Sequence, residues 1–142
     1  MAEAYSSSLQ AGAYNLLINC AGLATDDRLA VICEDPSLGW YDSVVSEVVC
    51  ETADNLGLNT TMVSVNGPTP DRALPQNAMD ALATHDHTLF FARLGDQSRF
   101  NLLPTARVPV MSYTYTADLL ASAYGQFNYR AFFDFKLAVD QT

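Results

Sequence analysis

Polar side chains that could take part in chemistry follow each of four apolar segments of this sequence. They are Glu34 and Asp35 after the first segment, Asn66 and Gly67 after the second, Arg93, Asp96 and Arg99 after the third, and Tyr113 and Tyr115 after the fourth. The adjacent carboxylates of Glu34 and Asp35 could hold a divalent cation or act as an acid–base pair. Alternatively, Asp35 caps the turn before Pro36 and Glu34 is solvated. We favour the structural alternative.

The segment from Leu94 to Phe100, L-G-D-Q-S-R-F, is the most polar cluster that follows an apolar segment. Arg93 and Arg99 could clamp a carboxylate or phosphate through bidentate hydrogen bonds. The alternative is an Asp96–Arg99 ion pair on a short helix, which stabilises by only about 0.2–0.5 kcal/mol. We favour the ion pair. The predicted ligand-binding residues are therefore Glu34, Asp35, Asn66, Arg93, Asp96, Arg99 and Tyr113.

Other reactive residue types in the sequence are predicted to be structural. The two histidines of His85-Asp86-His87 are spaced like a metal-binding pair on a strand. They lie at the amino end of the third apolar segment, the end opposite to the one where ligands bind such sheets, so we expect a structural turn. Cys33 lies within an apolar segment, where burial makes a thiol inert. The sequence contains no nucleophile elbow, P-loop or dinucleotide-binding glycine motif. No catalytic residue and no metal ligand is predicted in this chain.

The elements that position these residues alternate between strand and helix. Strands are predicted at Leu29–Cys33, Thr60–Val65, His87–Ala92 and Val108–Tyr113, with helical patterns before, between and after them. This alternation predicts a three-layer α/β/α fold, Rossmann-like or flavodoxin-like, with about four mainly parallel strands. The alternation does not determine the strand order, for which 2-1-3-4 is our guess. Ligands bind such sheets at the carboxyl ends of the strands, where the polar groups named above would meet.

Bulk composition excludes several classes of protein. The 142 residues suit a single domain, and a net charge of −9 would repel a phosphate backbone, so nucleic-acid binding is not expected. No apolar run reaches the ~18 residues that a membrane span requires, and no secretory leader precedes the first helix. The three cysteines, Cys20, Cys33 and Cys50, are typical of a reducing compartment. We predict a cytoplasmic protein without membrane contact.

Aromatic residues are concentrated near the carboxyl end of the chain. A helix is predicted from Phe127 to Val139, with aromatic side chains on more than one of its faces. The segment Phe127–Phe135 is therefore a candidate docking surface for a second copy or for a further domain, with ordinary core packing as an equal alternative. The sole tryptophan, Trp40, is expected to pack with Tyr41 against the second helix.

One segment carries a family resemblance. Asn15–Asp35, N-L-L-I-N-C-A-G-L-A-T-D-D-R-L-A-V-I-C-E-D, resembles the N-terminal segment of aminopeptidase T-type metallopeptidases and of related 2,5-dihydroxypyridine 5,6-dioxygenase-like proteins. Gly22, Leu23, Asp27 and Leu29–Ile32 match, while Asp26 replaces the usual glycine before the acid. The resemblance implies an N-terminal α/β domain.

In that family the metal ligands lie in a later domain, and this chain has no residues that match them. The resemblance therefore implies the N-terminal domain of a longer enzyme, or a shortened relative without the metal site. It implies no cofactor in this chain, and a divalent metal only in a C-terminal catalytic domain that would dock on Phe127–Phe135. The resemblance thus implies a non-catalytic domain that contributes to a cleft or an oligomer. The polar groups at the strand ends, chiefly Arg93, Asp96 and Arg99, favour a different function, a stand-alone flavodoxin-like module that binds a small anion or a protein partner.

Overall fold

A computed structural model describes residues 5–71, 73–100, 109–122 and 125, with the backbone alone for 97–100. The strands are β1 (Arg28–Glu34), β2 (Asn59–Val65), β3 (His87–Phe91) and β4 (Val110–Met111). The α-helices are α1 (Ser7–Tyr14), α2 (Ser43–Asn55), α3 (Gln76–Thr84) and α4 (Ala117–Ala121). A π-helical turn at Asn15–Cys20 extends α1, and 3₁₀ turns lie at Pro36–Leu38 and Arg93–Phe100.

The four strands form one parallel sheet in the order β2-β1-β3-β4. Leu29 of β1 lies between Thr60 of β2 and His87 of β3, so β1 is bonded on both sides and almost completely buried. An uninterrupted apolar run is typical of such a strand. The predicted α/β fold, the parallel pairing and the strand order are confirmed.

Side chains that alternate along β1 face two different helical layers. Leu29 and Val31 belong to the apolar cluster formed with α1, α2 and α4. Ala30 and Ile32 belong to the cluster formed with α3. The alternation of a strand continues to the last residue, so Glu34 faces the α3 side at the carboxyl end of β1.

Several predicted boundaries differ from the structure. β4 begins after Pro109 and has only two residues, because a proline removes a donor from the strand ladder. Asp42 occupies the N-cap position of α2, but its side chain makes no capping hydrogen bond. Pro75 occupies the N-cap position of α3. The predicted helix from Phe127, and with it Phe127–Phe135, lies outside the described residues. In the part of the chain that the structure describes, no helix is both long and apolar enough to cross a membrane.

Candidate ligand-binding site

The carboxyl edge of the sheet is built around an ion pair that joins β1 to the turn after β3. The backbone N–H of Arg93 donates to Oε1 of Glu34 at 3.1 Å. Its side-chain Nε lies 2.9 Å from Oε1 and 3.1 Å from Oε2. The Glu34 side chain is fully buried, whereas 28% of the Arg93 side chain is exposed. Our expectation that Glu34 is solvated is wrong, since a strand end between two neighbours is shielded from water and Arg93 supplies the compensating charge.

The outer part of the Arg93 guanidinium faces away from Glu34. Its carbon atom lies 4.4 Å from the ring centroid of Trp40, close enough for a cation–π contact. A Cβ on Gly67 would lie 2.8 Å from Nη2 of Arg93, so the absence of a side chain at this position makes room for the guanidinium. Within the described residues, the Nη groups of Arg93 make no hydrogen bond. These groups can therefore donate to a ligand.

A cleft of about 610 Å³ adjoins Gly67, the glycine next to Nη2 of Arg93, although Arg93 is not itself one of the residues that line it. Gly67, Leu94, the β1–α2 turn and the start of α3 contribute to its lining, together with Ser64, Asn66, Thr69, Asp71 and Asn77. Asp35 also lines it and caps the 3₁₀ turn, accepting a 2.9 Å hydrogen bond from the Ser37 backbone N–H. That bond lowers the pKa of the Asp35 carboxyl, and bonds from the Thr69 hydroxyl and the Ala73 backbone lower the pKa of Asp71. Both carboxylates stay ionised at neutral pH.

Three tyrosines lie together at the ends of β1, β3 and β4. The Tyr113 hydroxyl donates to Oδ1 of Asp96 at 2.5 Å. The buried Tyr41 hydroxyl donates to the Ser112 carbonyl at 2.8 Å, and its ring lies 4.8 Å from that of Tyr115. Burial, followed by the nearby Tyr115 and Glu34, raises the pKa of Tyr41. These hydroxyls hold the loop after β4 against the edge of the sheet, which is a structural role.

The amino edge of the sheet contains a second arginine–carboxylate pair between the same two strands. Arg28 donates to Asp86 from its backbone N–H at 2.9 Å and from Nη2 at 3.1 Å. His87 lies 3.2 Å from Asp27, and Nδ1 of His85 lies 3.0 Å from the Ala81 carbonyl. These contacts support the prediction that His85-Asp86-His87 is a structural turn.

No group of three or more histidine, cysteine, aspartate or glutamate side chains that could hold a metal is found among the described residues. Glu34 and Asp35 accept hydrogen bonds from different partners, Arg93 and Ser37. Burial raises the pKa of the Cys33 thiol, and it raises that of Cys50 to about 12. Both thiols are therefore protonated and poor nucleophiles at neutral pH.

Some of the predicted site residues come together and others do not. Glu34 and Arg93 are bonded, and Asp35 and Asn66 line the adjacent cleft. Asp96 and Tyr113 bond to each other instead. The side chain of Arg99 lies outside the described residues, and with it the proposed arginine clamp and the Asp96–Arg99 pair.

The structure adds two residues that sequence reasoning did not place in the site. Trp40 was expected to pack against the second helix, but it is 52% exposed and stacked on Arg93. The αL glycine before it, Gly39 with φ +81°, ends the 3₁₀ turn and redirects the chain. A tryptophan directly after a loop glycine was the available signal in the sequence. Asp71 lines the cleft together with Asn66 and Thr69, which also follow β2.

Comparison with protein-family models and with curated proteins finds no match. Among solved structures, 2,5-dihydroxypyridine dioxygenase from Pseudomonas putida KT2440 is similar, with a TM-score of 0.47 and 12% identity. The match covers 66% of this chain and 32% of the enzyme, so the chain spans about a third of that structure. The predicted resemblance to dioxygenase-like proteins thus has a weak structural counterpart, and the resemblance to aminopeptidase T-type enzymes stays a prediction. A likeness at this level assigns no activity, substrate or residue to this chain.

Proposed function

We propose that this chain is a non-catalytic α/β domain that forms a wall of a ligand cleft and binds an anionic group through Arg93. The proposal rests mainly on the burial and the hydrogen bonds of Glu34. Its carboxylate is fully buried and accepts hydrogen bonds from two nitrogens of Arg93. A general acid or base must reach the proton that it transfers, and Glu34 has no such access. Its role is to fix the arginine.

Arg93 has the geometry of an anion-binding residue. The backbone N–H and Nε hold Glu34, and the stacking on Trp40 fixes the plane of the guanidinium. This leaves the outer Nη groups in a fixed orientation beside Gly67. A planar, oriented fork of this kind matches the oxygens of a carboxylate or phosphate.

The rest of the cleft indicates what else the ligand carries. Asp35 and Asp71 are ionised acceptors, and Asn66 and Asn77 supply amide groups. A ligand that combines an anionic end with hydroxyl or amine donors complements this lining. A ligand with more than one negative charge should bind less tightly than a singly charged one, because the two carboxylates repel it.

A second candidate is the stand-alone module that binds a small anion. It is favoured by the cleft itself, because residues of this chain line it without help from another subunit. In the first candidate, an oligomer or a C-terminal catalytic domain docked on Phe127–Phe135 completes the cleft, and a divalent metal would belong to that domain. Both candidates share Arg93 as the anion-binding residue.

Titration of the purified chain with inorganic phosphate and with glycolate tests the shared claim. Trp40 is the sole tryptophan and contacts Arg93, so its fluorescence reports on that site. We expect a saturable change in the unsubstituted chain and an affinity at least about tenfold weaker in Arg93→Lys, which keeps the charge but loses the fork. The matched control is Arg28→Lys at the amino edge, which should bind like the unsubstituted chain. The absence of a saturable change with either anion, or equal weakening in both variants, contradicts the proposal.

A further inference from the structure

A separate cavity of about 290 Å³ lies between the π-helical turn after α1 and the end of β4 with the residues that follow it. It shares no lining residue with the cleft that adjoins Gly67. Apolar side chains, among them Leu16, Met111 and Leu120, contribute to its walls. Since an engineered protein cavity of about 150 Å³ binds benzene, this volume suffices for one substituted ring.

The π-helical turn shapes one wall of this cavity. The backbone N–H of Ala21 donates to the Leu16 carbonyl at 2.9 Å, a bond between residues five apart. In an α-helix such residues point in different directions, whereas the wider π turn brings Asn15 and Cys20 together, with 3.8 Å between Nδ2 and Sγ. Both residues line the cavity. Turns of this kind are rare and occur frequently at functional sites.

Closely packed backbone borders the cavity where α1 meets α4. A Cβ at Gly12 or at Gly125 would overlap the Leu120 carbonyl oxygen, so the absence of side chains at both positions allows this close approach. Nδ2 of Asn15 donates to the Gly125 carbonyl at 2.9 Å and joins the π turn to the same region. The cavity therefore lies beside tightly fitted elements and is not a sign of loose packing between them.

The wall formed by the residues after β4 contains two buried hydroxyl groups. Ser112 and Thr114 are 4% and 6% exposed, and their side-chain oxygens lie 2.7 Å apart. Each hydroxyl has one proton, and the bond between them uses only one of the two. The Thr114 backbone N–H also donates to the Ser112 oxygen. Within the described part of the chain, the second proton therefore has no acceptor.

The charge of the cavity wall restricts the ligand further. Of the described residues that line the cavity, none carries a charge at neutral pH. An ion that entered it would lose its hydration without gaining a partner, so the cavity selects against charged ligands. We infer that the cavity binds a small uncharged molecule with one ring and one carbonyl oxygen, which accepts the second proton of the Ser112–Thr114 pair. This site is additional to the anion site proposed at Arg93.

Titration of the full chain with three compounds of similar shape, followed by amide proton–nitrogen NMR, tests the inference. Acetophenone has the ring and the carbonyl, ethylbenzene lacks the acceptor, and benzoate carries a charge. We expect acetophenone to shift the amides of Leu16 and Thr114 with saturation, and ethylbenzene to bind about three- to tenfold more weakly. Benzoate should leave both amides in place, and acetophenone should not shift the amide of Arg93. No saturable shift with acetophenone, or equal binding of ethylbenzene or of benzoate, overturns the inference.

Two variants locate the binding site. Leu16→Trp fills the cavity and should abolish the binding of acetophenone, whereas Leu119→Trp, at an exposed position of α4, is the matched control and should bind as before. Ser112→Ala/Thr114→Val removes both hydroxyls without filling the space, so acetophenone and ethylbenzene should bind to it equally. Circular dichroism checks that each variant is folded. Binding that persists in folded Leu16→Trp, or a preference for acetophenone that persists without the hydroxyls, overturns the inference.

Discussion

The two edges of the sheet contain the same arrangement of atoms in two different environments. At the amino edge, Arg28 of β1 donates from its backbone N–H and its guanidinium to Asp86, the residue before β3. At the carboxyl edge, Arg93 after β3 donates in the same way to Glu34 of β1. At the amino edge the side chains of Arg28 and Asp86 are 60% and 30% exposed, whereas at the carboxyl edge Glu34 is fully buried. Water screens the first pair and is excluded from the acid of the second.

The difference shows that burial, and not hydrogen-bond count, separates a surface pair from a candidate site. An exposed pair contributes little, because each ion keeps most of its hydration. A buried acid depends on its partner, so Arg93 is held in position even though 28% of its side chain is exposed. The same pair therefore connects the stability of the domain to the proposed binding of an anion.

The largest effect is expected from removal of the buried partner. Arg93→Met leaves the Glu34 carboxylate buried without a compensating charge, which should reduce the free energy of unfolding by about 3–5 kcal/mol. Urea denaturation measures this loss, and Arg28→Met should lose far less. The double variant Arg93→Met/Glu34→Gln should recover a large part of the loss, because no charge then stays buried. A double variant as unstable as Arg93→Met would show that packing, and not charge, dominates at this edge.

A smaller effect is expected from the buried tyrosine beside the pair. Tyr41→Phe leaves the Ser112 carbonyl without its donor, at a cost of about 1–2 kcal/mol at neutral pH. Because burial raises the pKa of Tyr41 above its ordinary value of 10.0, the folded state keeps a proton that the unfolded chain releases. Stability from this group is therefore complete below about pH 10 and falls as the pH rises further.

The unsubstituted chain should consequently lose stability in alkaline solution more steeply than Tyr41→Phe. Denaturation midpoints measured between pH 8 and about pH 11 test this prediction. Tyr14→Phe, at an exposed position, should follow the unsubstituted chain. Equal alkaline slopes for Tyr41→Phe and the unsubstituted chain would contradict the role given to burial at this edge.

A smaller effect still is expected at the glycine that contacts the arginine. Gly67→Ala places a methyl group where Nη2 of Arg93 now lies, and the end of this flexible side chain must move. We expect a loss of about 1 kcal/mol or less in stability, together with a clear loss of anion affinity in the Trp40 titration. Unchanged affinity would mean that the present orientation of the guanidinium is not required for binding.

The smallest effect is expected at the amino edge. Asp86→Asn keeps a hydrogen-bond acceptor for Arg28 and removes a half-buried charge whose partner is 60% exposed, so the urea midpoint should change far less than in Arg93→Met. Added salt should reduce even that difference, since mobile ions screen exposed pairs. A loss at Asp86 comparable with that of Arg93→Met would remove the distinction between the two edges.

The sequence predicts the sheet better than it predicts the site. The apolar run Leu29–Cys33, rich in β-branched residues, favours a strand buried on both faces, and the structure places this strand inside the parallel sheet. Polar residues at the carboxyl ends of the strands then follow from topology, and Glu34, Asp35, Asn66 and Arg93 do lie at that edge. These predictions depend on periodicity, which is a local property of the chain.

Which side chains bond to each other at the carboxyl edge of the sheet depends on contacts between residues that are distant in sequence. The periodicity of the sequence does not describe such contacts. Glu34 bonds to a residue 59 positions away, and whether water reaches it is decided by the loops around it. The stacking of Trp40 on Arg93 likewise depends on where the turn after Asp35 directs the chain. The sequence therefore indicated which residues lie at the edge, but not which of them bond to each other.

Nitrogen-15 NMR of the arginine side chains tests the central claim most directly, because it observes Nε and Nη of Arg93 separately. We predict that addition of inorganic phosphate shifts the Nη resonances of Arg93 until the site is saturated. The Nε resonance should not shift, because Nε is bonded to Glu34. The Arg28 resonances should not change. The claim is that the Nη groups of Arg93 bind an anion while its Nε holds Glu34. Equal shifts of the Nε and Nη resonances, or equal shifts at Arg28 and Arg93, would contradict it.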